Sequence, residues 1–205
     1  MHPEILSPEQ KELLPLVKSF RREFYLVGGT AIALLIGHRK SIDFDLFKST
    51  PFISKKILDK ISTIESHYVV TRRVKEQINL TISDVKITFF EYPYFIETPV
   101  NFDKILRMPD LLTLGAMKAF ALGRRSKWKD YLDLYFLLRD YFSVEDIIQK
   151  AENIYGQEFS SKLFRSQLAY HEDINYSESV EFLPGYEVGE EEVKAFLIDQ
   201  ALIQL

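Results

Sequence analysis

The chain has 205 residues, enough for one large domain or two small ones with a buried core. Hydrophobic residues make up 46% of it and aromatics 14%, which excludes a disordered chain, and the absence of cysteine excludes disulfides and thiolate metal sites. The net charge of −4 conceals an asymmetry: residues 171 to 205 hold nine of the 30 acids and one of the 26 bases, so the preceding body is net basic and suits a polyanionic ligand. The acidic stretch reads either as a solvated face or as a strap lying over a basic cleft. No apolar run approaches the roughly 20 residues of a membrane span, and no signal-like leader opens the chain, so a soluble, cytoplasmic protein without membrane contact is expected.

In chain order, Ser7-Pro8-Glu9-Gln10 predicts a helix start with Ser7 as cap, and the helix is expected to run to about residue 22. Phe24 to Val27 reads as a short buried strand, Thr30 to Ile36 as a helix closed by Gly37, and Ser41 to Phe47 as a strand. A helix over 53 to 65 follows, then strands at Tyr68 to Val74, Ile78 to Ile82 and Val85 to Tyr92, with Ser83-Asp84 as the turn between the last two. Beyond Pro93 and Pro99 the pattern turns helical. Helices are expected from Pro109 to Leu122 with Gly123 as the stop, from Lys127 to Tyr141, from Ser143 onward, from Phe159 to Tyr170 and from Glu190 to Ile203. Residues 1–100 therefore read as an α/β core and residues 101–205 as a helical region with an acidic tail.

The chemistry concentrates in two places. In the first, the strand ends on Gly28-Gly29, a helix follows, and the chain then reads Ser41-Ile42-Asp43-Phe44-Asp45. Residues i and i+2 of a strand share a face, so Asp43 and Asp45 sit side by side with Phe44 turned to the core. Adjacent carboxylates repel and call for a cation. Mg²⁺ or Mn²⁺ would take their oxygens and keep substrate phosphates as its other ligands, and two ions held by shared carboxylates can bind the attacking and leaving oxygens of a phosphoryl transfer. The free N–H groups at a helix start, reached through Gly28 and Gly29 with the Thr30 hydroxyl nearby, suit phosphate. Arg39 is a second phosphate candidate through its two-pronged guanidinium. His38 reads either as a catalytic group or as a histidine that holds its loop.

In the second place, Lys118 shares a helix face with Leu111, Leu114, Ala121 and Leu122, where an unpaired charge is costly. It needs Asp130 or Asp133 as a structural partner, or a triphosphate as ligand. Arg124, Arg125, Lys127 and Lys129 surround Trp128 in a basic loop that suits phosphate and base stacking, or is simply a solvated turn. The aromatic run from Phe89 to Phe95 reads as core and edge packing.

Gly28-Gly29-Thr30-Ala31, Gly37-His38-Arg39 and Ser41-Ile42-Asp43-Phe44-Asp45 resemble the first motif of the AbiEii/AbiGii toxin family, a branch of the DNA polymerase β-like nucleotidyltransferases. Lys118, followed by Arg125-Ser126-Lys127-Trp128-Lys129-Asp130-Tyr131-Leu132-Asp133, resembles its downstream signature, and the segment around Glu191-Glu192-Val193-Lys194 is similar to its C-terminus. The resemblance implies an α+β fold: a nucleotidyltransferase-type mixed sheet with flanking helices, then a helical C-terminal part. It implies a toxin of a toxin–antitoxin or abortive-infection system, with a cognate antitoxin. The implied reaction moves a nucleoside monophosphate from a nucleoside triphosphate to an acceptor hydroxyl, RNA or tRNA in the known cases. By matching position, Asp43 and Asp45 would hold metal, and Gly28, Gly29 and Ser41 would line the phosphate site. Lys118 would contact the nucleotide, and Asp130 or Asp133 would support it.

One position departs from the superfamily pattern, which places a third carboxylate on a later strand. Here that strand is Val85 to Tyr92 and the expected position carries Thr88. Asp84 lies four residues earlier near the turn, and Glu91 on the opposite face. The departure keeps open a catalytically degenerate protein of the same fold that binds nucleotide or a partner.

Overall fold

A computed structural model describes residues 1–122 and 124–203. Gly123, read above as a helix stop, lies outside them. The chain divides into two compact units, Met1–Asp110 and Leu111 onward. No helix among the described residues is long and apolar enough to cross a membrane.

The first unit runs α1 (Pro8–Glu12), α2 (Leu14–Ser19), β1 (Tyr25–Val27), α3 (Gly28–Ile36), β2 (Asp43–Lys48), α4 (Ser54–Ser62), β3 (Val69–Arg73), β4 (Gln77–Ile82), β5 (Val85–Glu91), β6 (Val100–Phe102) and β7 (Leu106–Met108). The second holds α5 (Leu111–Leu122), α6 (Trp128–Asp140), α7 (Val144–Tyr155), α8 (Ser161–Ala169) and α9 (Glu190–Leu202).

The capping box at Ser7 and Gln10 forms as the sequence predicts. The single helix expected from it is in fact two, broken at Leu13. Pro15 in the first turn of α2 has no N–H to give the preceding turn, and its ring would collide with the carbonyl four residues back.

Five strands form one mixed sheet in the order β1-β2-β5-β4-β3. β2 and β5 are parallel and the other neighbours antiparallel. One face carries Leu26, Phe44, Leu46, Ile78, Leu80, Ile87 and Phe89, all buried. Phe20 and Phe24 meet Phe89 edge-on there, at 4.7 and 5.2 Å between ring centroids. The other face carries Asp43, Asp45, Thr88, Asn79 and Thr81, all half-buried, and the exposed Lys86. Strand alternation has therefore sorted apolar from functional side chains. The β4–β5 hairpin turns on Ser83 and Asp84, both at positive φ, as the twist of a two-residue hairpin demands.

β6 and β7 correct the expectation of helices directly after Pro99. They form a small antiparallel pair turning through Asp103, which has φ 47°. The alternation of Val100 and Phe102, then Leu106 and Met108, carried the signal, but three-residue strands are too short to dominate a pattern.

In the second unit, α5 packs on α7, and Gly115 lets Ile147 and Leu137 approach to ordinary contact distance. Phe120 and Tyr155 stack at 3.7 Å with planes 5° apart. α7 starts on a capping box of Ser143 and Asp146.

Candidate active site

The double glycine is built into its surroundings. β1 ends at Val27, and Gly28 turns into α3 at φ +75°, a conformation that disfavours any side chain. A Cβ on Gly28 would overlap Asp45 Oδ2, and one on Gly29 would overlap Arg39 Nη2. Both glycines are therefore needed for the Asp45 carboxylate and the Arg39 guanidinium to lie against the first turn of α3. Arg39 is 2% exposed and donates from Nη1 to the Lys40 carbonyl at 3.0 Å. His38 is fully buried.

Thr30 and Ser41 tie α3 to the entry of β2. The Thr30 hydroxyl lies in hydrogen-bond contact with the Asp43 carbonyl and 2.8 Å from the Ser41 hydroxyl. The Thr30 hydroxyl is the donor in both contacts, its one hydrogen shared between the Asp43 carbonyl and the Ser41 hydroxyl. These contacts fix the backbone of Asp43. Gly28, Gly29, Thr30, Arg39, Ser41, Asp43 and Asp45 thus come together around one helix start and one strand.

The β2–β5 register sets what faces the two carboxylates. Asp45 pairs with Thr88 and Asp43 with Lys86. Thr88 therefore stands across from Asp45, in the place expected of a third carboxylate. Asp84 is part of the hairpin turn, and Glu91 pairs with Lys48 at the far end of the strands. No group of three metal-binding side chains occurs among the described residues. Two carboxylates on one face suit a single Mg²⁺, which takes one or two such ligands and keeps water and phosphate as the rest.

The second cluster belongs to the helical unit. Lys118 on α5 lies 2.7 Å from Asp130 Oδ1 and 2.9 Å from Asp133 Oδ2, both on α6. All three residues are buried. Arg125 meets Asp130 in a two-pronged contact, with Nε to Oδ2 at 2.8 Å and Nη2 to Oδ1 at 3.2 Å. Burial pushes the Asp130 carboxyl up, but the Lys118 and Arg125 charges outweigh it and hold it below the usual carboxylate range. The share of Arg125 in this pairing was not anticipated from the sequence.

The acidic stretch touches the basic loop. Asn175 and residues 126–128 exchange backbone hydrogen bonds in a parallel bridge. Ser126 donates to Asp173 at 2.9 Å. Glu178 lies 2.5 Å from the Lys127 ammonium and 3.4 Å from that of Lys129. Trp128 rests against Tyr176 at 5.5 Å. Of the two readings of the acidic tail, this portion is the strap. The net charge contrast between the two segments was its only trace in the sequence.

The family described as nucleotidyl transferase AbiEii toxin, type IV TA system, matches residues 16–199. An uncharacterized protein of Aquifex aeolicus is 34% identical over 200 residues, covering 91% of this chain and 93% of that protein. The MenT4 nucleotidyltransferase toxin of Mycobacterium tuberculosis superposes with a TM-score of 0.62 at 13% identity, over 94% of this chain and 80% of that one. A putative nucleotidyltransferase of H. pylori superposes with a TM-score of 0.57 at 17% identity, over 94% and 91%. At these identities the two structures speak for the shared fold.

Proposed function

The chain belongs to the AbiEii nucleotidyltransferase toxin family, and from that membership we propose that it moves a nucleoside monophosphate from a nucleoside triphosphate to a hydroxyl of RNA, with Asp43 and Asp45 holding a divalent metal. The observation that carries this reading is the pairing of Asp43 and Asp45 on one sheet face, with Asp45 packed against Gly28 at the start of α3. That juxtaposition suits phosphate at the helix start and a cation beside it. When bound, Mg²⁺ or Mn²⁺ would neutralise phosphate charge and make the α-phosphorus a better electrophile.

The chain's own residues do the rest. Gly28 and Gly29 admit the triphosphate close to the backbone N–H groups of α3. Thr30 and Ser41 hold the β2 entry so that the Asp43 carboxylate keeps its aim. Arg39 places a buried positive charge beside Gly29. In the helical unit, Asp130 and Asp133 hold the buried Lys118, and a role for it toward nucleotide rests on the family resemblance alone. Positioning and charge neutralisation are the main work in a reaction of this class. The family also supports an antitoxin as partner.

The test is transfer of α-phosphate label from each ribonucleoside triphosphate into total bacterial RNA. Wild type should label RNA, and Asp43→Ala should lose about 100-fold or more. Equal labelling by the two proteins would overturn the assignment. A second reading, nucleotide binding without turnover, is favoured by Thr88 in register with Asp45. It predicts nucleotide affinity with no product from wild type.

A further inference from the structure

Strands β2 and β5 run parallel, and neighbouring strands lie about 4.8 Å apart. Lys86 is therefore the nearest β5 side chain to Asp43, as Thr88 is to Asp45. Both stand on the carboxylate face, since Val85, Ile87 and Phe89 between and beside them are buried on the other. These two positions are where an adjacent strand would hand a carboxylate to a cation already held by Asp43 and Asp45. One carries an ammonium and the other a neutral hydroxyl. Lys86 is exposed, on a flexible four-carbon stem, and makes no ion pair among the described residues.

Charge decides what such a site can hold. Two carboxylates balance one divalent cation. A second one would sit beside the Lys86 ammonium with no further carboxylate to offset it, and it would be repelled by both the first ion and the lysine. A triphosphate still carries charge beyond what one ion neutralises, and an ammonium with three N–H donors is well made for phosphate oxygens.

We propose that Lys86 stands in for a second metal ion: the site takes one divalent cation on Asp43 and Asp45, and the Lys86 ammonium gives the triphosphate, from the β5 side, a positive charge beyond those of that cation and of the buried Arg39. This rests on the nucleotidyl-transfer reading above. It makes a prediction of opposite signs. Removing the ammonium strengthens metal binding to the free protein, because a like charge beside Asp43 is gone. The same change weakens nucleotide binding, because a phosphate partner is gone. A lysine of merely structural importance would move neither in this way.

The experiment counts bound Mn²⁺ by electron paramagnetic resonance, with the full chain and the α,β-imido analogues of the four ribonucleoside triphosphates. Wild type should bind one ion per chain, with or without analogue. Lys86→Ala should bind Mn²⁺ several-fold more tightly without analogue and the best analogue about 10-fold more weakly or worse, as expected for a hydrogen bond between charged groups. Lys86→Arg should restore analogue affinity. The double variant Lys86→Ala with Thr88→Asp should bind a second ion. Because Lys86 is exposed, its replacement opens no cavity, and a thermal melt within a degree or two of wild type confirms the fold. Two ions in wild type, or unchanged analogue affinity in Lys86→Ala, would overturn the proposal while leaving nucleotidyl transfer intact. No bound ion and no bound analogue in wild type would overturn both.

Discussion

Gly28 meets two demands at once: positive φ and a carboxylate where a side chain would begin. Gly28→Ala should cost about 1–2 kcal/mol from the left-handed backbone alone. It should also push Asp45 aside, so that Mn²⁺ affinity falls further than stability does; parallel melting and metal titrations would separate the two losses. Asp130 is the counterpart in the helical unit. Its folded pKa is depressed, so its contribution to stability is present above the ordinary carboxylate pKa and is lost as pH falls through the lowered folded value. Asp130→Asn leaves Lys118 with Asp133 and leaves the half-exposed Arg125 with a weaker partner, so it should destabilise at neutral pH by about 1–3 kcal/mol, less than stranding a buried charge outright. The difference from wild type should shrink as acid titrates the native carboxylate, which denaturant melts at neutral and acid pH would reveal. A constant difference would mean that Asp130 is held by something other than its charge.

Among the elements, the strap is the one whose role is open to direct manipulation. Glu178 neutralises Lys127 and Lys129 through partly exposed pairs, so Glu178→Gln should cost at most about 1 kcal/mol of stability. It should raise affinity for a polyanion such as heparin and steepen the fall of that affinity with salt. Unchanged heparin binding would mean that the backbone bridge at Asn175, rather than charge, masks the loop. The β4–β5 turn gives a simpler test: Asp84→Gly removes a side chain from φ 65° and should stabilise by about 0.5–1 kcal/mol in denaturant titration. At this scale the sequence was informative wherever a local rule acted alone. Alternation exposed β2, β4 and β5, and side-chain chemistry exposed the caps at Ser7 and Ser143. It misled where two rules competed, as at Pro15, whose break was hidden beneath a continuous apolar face. The short β6–β7 pair was lost between prolines that announced only a change of pattern.

For the whole chain, the fold class and the nucleotidyltransferase family were readable because they rest on motifs with fixed spacing: Gly28-Gly29, then Asp43-x-Asp45, then Lys118 and Asp130-x-x-Asp133. What neighbours those motifs was not readable, because register is a tertiary fact. Nothing near Lys86 in the sequence says that it pairs with Asp43, and nothing near Glu178 says that it meets Lys127. The chain divides into two units after Asp110, and the β6–β7 pair lies in the first of them. In the proposed reaction the α-to-β phosphate bond is the one broken, and the nucleotide moiety is carried to the acceptor. Parallel reactions with triphosphate labelled at the α or at the γ position test it most directly. Nucleotidyl transfer puts the α label in RNA and the γ label in released pyrophosphate. Label from the γ position in the acceptor, or label in neither product with nucleotide bound, would contradict it.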